Sequence, residues 1–436
     1  MEKNNLLTKT ILSPALRKQI AIALSLFSVL TIASFQSKDS NGTTNGDRSK
    51  QTYFVIISDV HLDLQASTNL DEPFPDPGQS PHLGKDSNYA LVKSALADIT
   101  NHFPDAAFVL LLGDMVAHGT QSKDATNVEQ KLAGMFSKAF PKTSVFMVLG
   151  NNDTDTKDNE APSADFLNAV ARDWAPLIRS KPASEIFSNT FPDNGCYSVT
   201  LPLPGLPPQT LIGLNTTAFI KKRTNKTEVS ANEMTWLKQE LDKRKSERLW
   251  LAYHVPPGND PFSSSDAPFE LWEPNFETDF FRLMMENTNI VASFAGHTHR
   301  DEFKIFGGLK NPKGFVHIVP SISVYYNNYP AYQVFTVDSQ GNLSDYITRY
   351  LPNYESFMSR NAFDRAAHAW TNEYDFNEAY HKRGYTLANL VLLLQELKTN
   401  PSRASLFSSY YGAKSSGIKN IFLPKENYWA LMEVNK

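Results

Sequence analysis

Hydrophobic residues in this chain gather into short unbroken runs, each closed by a glycine or by an acidic, amide or imidazole side chain. The runs are Tyr53-Phe-Val-Ile-Ile57, Ala107-Phe-Val-Leu-Leu-Leu112, Ser144-Val-Phe-Met-Val-Leu149, Leu249-Trp-Leu-Ala252 and Ile290-Val-Ala-Ser-Phe294. All are rich in β-branched and aromatic residues and lack polar alternation, which predicts central strands of a sheet covered on both faces. Tyr197-Ser-Val-Thr-Leu201, Thr210-Leu-Ile-Gly-Leu214, Phe315-Val-His-Ile-Val319 and Tyr332-Gln-Val-Phe-Thr-Val337 predict further strands, suited to a second, partly antiparallel sheet. Helical spacing appears between them. Residues 89–101 read as a helix, and in 231–245 Met234, Leu237 and Leu241 fall on one face. In 386–397 an apolar face of Leu387, Leu390, Val391 and Leu394 ends before Pro401. The fold class is α/β.

Two flanking regions stand apart. Lys3, Lys9, Arg17 and Lys18 precede an uncharged, mostly apolar stretch from Ile20 to Phe35, so residues 1–35 read as a signal peptide. The alternative is an uncleaved membrane anchor formed by residues 20–35, a stretch shorter than the roughly 20 residues a span requires. Residues 36–51 form a polar linker, 52–350 a catalytic domain and 351–436 a C-terminal helical subdomain. The expected location is outside the cytoplasm: secreted, periplasmic or lumenal, or membrane-anchored.

The residues that close the strands carry the chemistry. They are Asp59-Val-His61, Gly113-Asp114, Gly150-Asn151-Asn152-Asp153, His254 and Gly296-His297-Thr298-His299. In open α/β sheets ligands bind beyond the carboxyl ends of the strands, so these side chains are expected to meet on one rim. Each motif alone is a common loop pattern; the set, five times after a predicted strand, points to two divalent cations. Such a pair needs oxygen and imidazole ligands and a carboxylate able to bridge. Asp114 is the expected bridge. Asp59, His61 and one of His297 and His299 would hold one cation, and Asn151, His254 and the other histidine the second. The expected chemistry is hydrolysis by an activated water without a covalent intermediate. His118, four residues beyond Asp114, is the candidate general acid for the leaving group.

These motifs resemble the calcineurin-like metallophosphoesterase superfamily. A closer likeness is to its acid sphingomyelinase and acid sphingomyelinase-like branch. That likeness is carried by Ile57-Ser-Asp-Val-His61, Gly113-Asp-Met-Val-Ala-His118, His254-Val-Pro-Pro-Gly258, Gly296-His-Thr-His-Arg-Asp-Glu-Phe303, and Pro320-Ser-Ile-Ser323 followed by Asn327-Asn328. The resemblance implies a four-layer α/β/β/α sandwich of two mixed sheets flanked by helices. It also implies two zinc ions and phosphodiesterase activity on nucleotide, phosphocholine-type or sphingomyelin-like substrates. The ligand chemistry equally admits manganese or iron. His118 matches the histidine of that branch's Gly-Asp-x-x-x-His pattern. An imidazolium acts best near or below the ordinary histidine value of about 6.5, so an acidic optimum is expected.

Asn152 departs from the superfamily, which mostly reads Gly-Asn-His-Asp there. An amide can hydrogen-bond a phosphate oxygen and cannot donate a proton, so the departure bears on leaving-group help more than on binding. The endopolyphosphatase branch is similar in carrying Asn at this point. Endopolyphosphatase or phosphomonoesterase activity, and a non-catalytic metal-binding homologue, are the alternative readings.

Composition changes the picture in three places. With 436 residues, 41% of them hydrophobic, the chain can bury a large core. A formal charge of −4 gives no basic field, so no nucleic-acid scaffold is expected as a partner. The expected partner is a small phosphodiester, with membrane contact only through the N-terminal segment or a lipid substrate. Cys196 is the only cysteine, so no internal disulfide can form, and the cysteine-stapled lipid-binding domain of animal acid sphingomyelinases is not expected. Residues 71–84, 153–188 and 258–277 are expected around the pocket. There Trp174, Phe262, Phe269 and Trp272 could stack on a base, enclose a choline, or pack in the core.

Overall fold

A computed structural model describes residues 51–66, 83–157, 160–221, 227–261, 269–356, 369–415 and 428–435. The expected signal peptide or anchor and nearly all of the linker lie outside the described residues, as do most of the 71–84 loop and Phe262. Among the described residues no helix is long and apolar enough to cross a membrane.

The apolar runs form strands β1 (Thr52–Ile57), β2 (Phe108–Leu111) and β3 (Ser144–Met147), each buried at its carboxyl end. Between them lie α1 (Tyr89–His102) and α2 (Ser122–Ala139). Helix α1 starts where the Asn88 side chain accepts the Leu91 N–H at 2.9 Å, satisfying a donor that the first turn leaves open. Helices α3 (Ala164–Trp174) and α4 (Lys181–Asn194) lead into β4 (Tyr197–Thr200) and β5 (Gln209–Gly213). Helix α5 (Thr227–Lys243) starts four residues before the expected position and buries Met234, Leu237 and Leu241 as its periodicity requires. Next come β6 (Arg248–Ala252), α6 (Pro274–Glu286), β7 (Ile290–Ala295), β8 (Glu302–Phe306), β9 (Gly314–Ile318), β10 (Ala331–Val337) and β11 (Leu343–Tyr350).

One sheet has six strands in the order β12-β11-β10-β1-β2-β3, with β12 spanning Thr371–Asp375. The other has seven, β13-β8-β9-β7-β6-β5-β4, with β13 spanning Glu433–Val434. Both are mixed. The β1–β2–β3 and β5–β6–β7–β9 pairings are parallel, whereas β10, β11 and β12 add to β1 antiparallel. Aromatic rings lock the sheets face to face: Phe54 of β1 lies 5.1 Å from Trp250 of β6 and 5.9 Å from Phe294 of β7. Helices flank both sheets, which is the expected sandwich.

The segment after residue 350 differs from a purely helical one. It holds α7 (Phe376–Tyr380), α8 (Leu387–Thr399) and α9 (Pro401–Tyr410), and it also gives each sheet its outermost strand, β12 and β13. Thr371-Asn-Glu-Tyr-Asp375 has no apolar run because it lies on an edge with its first two residues exposed. Residues Thr52–Lys436 cluster as one compact unit.

Candidate metal centre

Beyond the carboxyl ends of β1, β2 and β7 the chain turns through left-handed backbone at its most polar residues. Asp59, His61, Asp114, His297 and His299 all have positive φ, between 45° and 74°. Outside glycine this region is costly, and Asp, Asn and His are the residues that tolerate it best. The motif glycines serve close approach: a Cβ on Gly150 would collide with Asp114 Oδ1, and one on Gly296 with Ser58 Oγ. Asp153 braces the same turn, accepting the Met115 and Val116 N–H groups at 2.7 and 3.0 Å and that of Gly150 at 2.8 Å.

The seven expected ligands converge. His61 Nε2 lies 3.2 Å from His299 Nε2 and 3.4 Å from Asp114 Oδ2, and His299 Nε2 lies 3.3 Å from Asp59 Oδ1. On the other side, Asn151 Oδ1 lies 3.1 Å from His254 Nε2 and 2.9 Å from His297 Nδ1. His254 Nε2 is 3.3 Å from Asp114 Oδ2. Two groups of potential ligands result among the seven, Asp59 with His61 and His299, and Asp114 with His254 and His297, while Asp86 and His118 at the edge make a further cluster with His61. Asp114 Oδ2 therefore faces both groups. His299 falls in the first group and His297 in the second, a division left open by the sequence.

Electrostatics indicate that this cluster fits cations. Burial works against charge on His61 and His254, yet the carboxylates of Asp114 and Asp59 outweigh it and raise both imidazoles to about 9. Burial likewise opposes ionisation of Asp59 and Asp114, and the surrounding histidines hold both carboxyls well below the ordinary range. His297 and His299 fall to about 4, chiefly through burial. The outer nitrogens of two ligands are tied back: His61 Nδ1 donates to Val116 O at 3.1 Å and His254 Nδ1 to Leu112 O at 2.7 Å. Those bonds turn each Nε2 inward, where it carries a proton in the metal-free protein and would offer a lone pair to a cation that displaced it. The Asp59 and Asp114 carboxylates repel one another unless positive charge, as a proton or a cation, lies between them.

His118 stands at the edge of the cluster. Its ring stacks on His61 at 4.2 Å, and its Nδ1 donates to Asp86 Oδ1 at 2.8 Å, while its backbone N–H donates to Asp86 Oδ2 at 3.0 Å. Asp86 was not legible in the sequence; it is a lone acid after a Pro-rich loop, with no motif around it. Asn152 is turned inward. Its Nδ2 donates to Asp114 Oδ2 at 2.9 Å and its backbone N–H to Asp114 Oδ1 at 2.8 Å.

The family model for the calcineurin-like phosphoesterases matches residues 52–301, which contain all seven of these side chains. The chain belongs to that family. Among curated relatives, sphingomyelinase phosphodiesterase D of Dictyostelium discoideum is 29% identical over 68% of this chain. That alignment spans 66% of the relative's own length, just under two thirds. Cyclic GMP-AMP phosphodiesterase SMPDL3A of Mus musculus is 27% identical over 82% of this chain and 83% of its own. Acid sphingomyelinase-like phosphodiesterase 3b of the same organism is 24% identical over 80% of each.

Of the four aromatics that the sequence left between pocket and core, two lie in the core of this calcineurin-like domain. Trp174 and Trp272 are buried, and their indole N–H groups donate to Glu129 Oε2 at 2.8 Å and to Val255 O at 3.1 Å. Both rings complete packing between helices and sheet, the commonest use of a tryptophan. Phe269 is 41% exposed. The aromatic side chains at the rim are Tyr325 and Tyr326, which lie inside a motif quoted for the resemblance and had been given no role. Burial first, then the charges of Asp114 and Tyr325, push the Tyr326 phenol up to about 12.

Proposed function

We propose that this chain is a metal-dependent phosphodiesterase that hydrolyses small phosphodiesters outside the cytoplasm. The convergence of seven ligand-type side chains into two groups around Asp114 carries the reading, and the names of its relatives supply the bond type. Asp59, His61 and His299 would hold one divalent cation and Asn151, His254 and His297 the other, with Asp114 shared. When bound, such cations supply Lewis acidity and lower the pKa of a water to about 7. Zinc is the first metal to test, with manganese and iron as comparators.

The chain's own residues do the rest. Asp86 accepts from His118 Nδ1, so proton transfer falls to Nε2, the nitrogen available to protonate a departing alkoxide. His61 Nδ1 and His254 Nδ1 stay bonded to backbone carbonyls, which fixes both rings as the charge of the site changes. Asn152, held on Asp114, orients that carboxylate and is no proton donor.

A panel of bis(4-nitrophenyl) phosphate, a cyclic dinucleotide, sphingomyelin, a phosphomonoester and inorganic polyphosphate, each with defined metals at pH 5 and 7.5, tests the reading. Diester cleavage abolished by a chelator and restored by metal is the expected result. Turnover of polyphosphate or monoester alone would replace the diester assignment with the reading that Asn152 favours. Stoichiometric metal with no turnover of any member would leave a non-catalytic homologue.

A further inference from the structure

The loop from Pro320 to Tyr329 presents two tyrosines at the rim that the chemistry above does not use. Tyr325 and Tyr326 are 36% and 38% exposed, whereas Tyr332, Tyr346, Tyr380 and Tyr385 are buried. Their loop is pinned. Asn328, itself buried, donates from Nδ2 to Ser321 Oγ at 2.9 Å, Ser323 O at 2.9 Å and Tyr329 O at 3.1 Å. The Ser323 N–H donates to Asp59 O at 3.0 Å and the Ile322 N–H to Ser58 O at 3.1 Å, so the loop is bolted to the turn that carries two metal-ligand candidates. The Tyr326 carbonyl accepts from the buried Arg300 guanidinium at 2.9 Å.

The rings form a column. His61 and His118 stack at 4.2 Å with 13° between planes, and His118 and Tyr325 at 4.0 Å with 19°. Tyr326 stands alongside this column, at 80° to Tyr325 with centroids 5.1 Å apart and at 87° to His118 with centroids 6.2 Å apart, and meets His299 edge-on at 4.7 Å. The outcome is a right-angled aromatic corner beside the cluster of candidate metal ligands. A column of near-parallel rings is completed by one more flat ring at van der Waals spacing, and every nucleobase has such a face. The Arg300 guanidinium, bonded to the Tyr326 carbonyl, disfavours a second cation on that side of the corner.

We propose that Tyr325 and Tyr326 form a base-stacking subsite, which makes a nucleoside phosphate the substrate class of this centre. The proposal rests on the phosphodiesterase reading for its phosphate position and specifies what flanks it. Stacking of one base on one aromatic ring is worth on the order of tenfold in affinity.

Calorimetric titration of the metal-loaded protein with AMP, ribose 5-phosphate and phosphocholine tests this directly, with diester turnover measured separately on bis(4-nitrophenyl) phosphate. AMP should bind about tenfold tighter than ribose 5-phosphate. Tyr325→Leu should erase that ratio and Tyr325→Phe preserve it. Equal affinity for AMP and ribose 5-phosphate in the unmodified protein overturns the subsite, and that comparison stands even if the leucine variant fails to fold. A proportional loss of both ligands in Tyr325→Leu also overturns it, because Tyr325 would then merely prop His118. Selective weakening of phosphocholine would overturn it in favour of a cation cage. Should diester turnover be absent while the AMP preference and its loss in Tyr325→Leu persist, the phosphodiesterase reading fails and the stacking subsite survives.

Discussion

Two sets of buried carboxyls in this protein titrate in opposite directions. At the metal rim, Asp59 and Asp114 sit among histidines and are held ionised. Under the C-terminal strands, Asp301 and Glu302 are raised to about 7 by burial, and Asp345 to about 8 by burial and then by its hydrogen bond to Asp375. Glu373 is likewise raised well above the ordinary range, by burial and the nearby Asp301. The Asp301 carboxylate takes Tyr374 Oη at 2.7 Å, Gln333 Nε2 at 2.8 Å and Thr348 Oγ1 at 3.0 Å, all neutral donors. Asp59, Asp114 and Asp301 are all buried; the charge of their partners differs. Neutral donors do not offset the cost of placing a charge in a low-dielectric interior, whereas imidazolium or a metal does.

The sharpest way to break the comparison is Asp114→Ala, which removes the carboxylate facing both ligand groups. Diester turnover should fall by at least about 10³-fold, with loss of bound metal visible by elemental analysis. His118→Ala keeps the metal and removes the proton donor, so kcat should fall by about 10² to 10⁴ while the metal content is unchanged. A fall in metal content would move His118 from acid to ligand.

Metal uptake sharpens the rim side. In the metal-free protein His61 and His254, at about 9, bind protons that a cation must displace. Apparent affinity should therefore drop by about tenfold per pH unit for each proton displaced as pH falls below 9. Competition titrations with a chromogenic chelator between pH 6 and 9 give the slope; a flat profile contradicts the protonated rim.

Stability against pH sharpens the other side. Carboxyls raised above their unfolded values stabilise the fold fully below about pH 4, and that contribution is lost as pH rises through 7 to 8. The lowered rim carboxylates contribute above their unfolded values and lose that contribution toward strong acid. The metal-free protein should thus melt highest in mild acid, near pH 4 to 6. The smallest expected effect is local. Asp345 Oδ1 accepts the Tyr346 and Asn377 N–H groups at 2.9 and 3.0 Å, acceptors that Asp345→Asn retains while its amide can donate to Asp375. That variant should melt a few degrees higher at pH 8.5, equivalent to about 1 kcal/mol, and be unchanged at pH 5.

What the sequence disclosed and what it hid follow the same divide. Strands β1, β2, β3, β6 and β7 were legible because a fully buried strand leaves an unbroken apolar run, and the rim followed from what closes each run. Strand β8 was hidden because Glu302-Phe-Lys-Ile-Phe306 buries a glutamate and a lysine, so its pattern reads as half exposed. Lys304 compensates by donating to Pro257 O at 3.0 Å and Asn259 O at 2.7 Å, partners from a distant loop. Asp86 and the tyrosine corner escaped notice for a related reason: their roles depend on contacts across the fold, and no local spacing encodes those. Trp174 and Trp272 were visible as aromatics, but whether an aromatic faces solvent or core is decided by the elements around it.

The position of β1 between β2 and β10 has a consequence for biosynthesis. A ribosome releases residues 52–61 early, yet the antiparallel neighbour of that strand, residues 331–337, emerges much later. Until then Phe54, Val55, Ile56 and Ile57 present an open edge, the kind of surface through which nascent chains associate wrongly. Asp59 and His61 are thus translated first among the seven and anchored last. Fragments that stop short of residue 331 should bind chaperones and hold no metal, however complete their motifs.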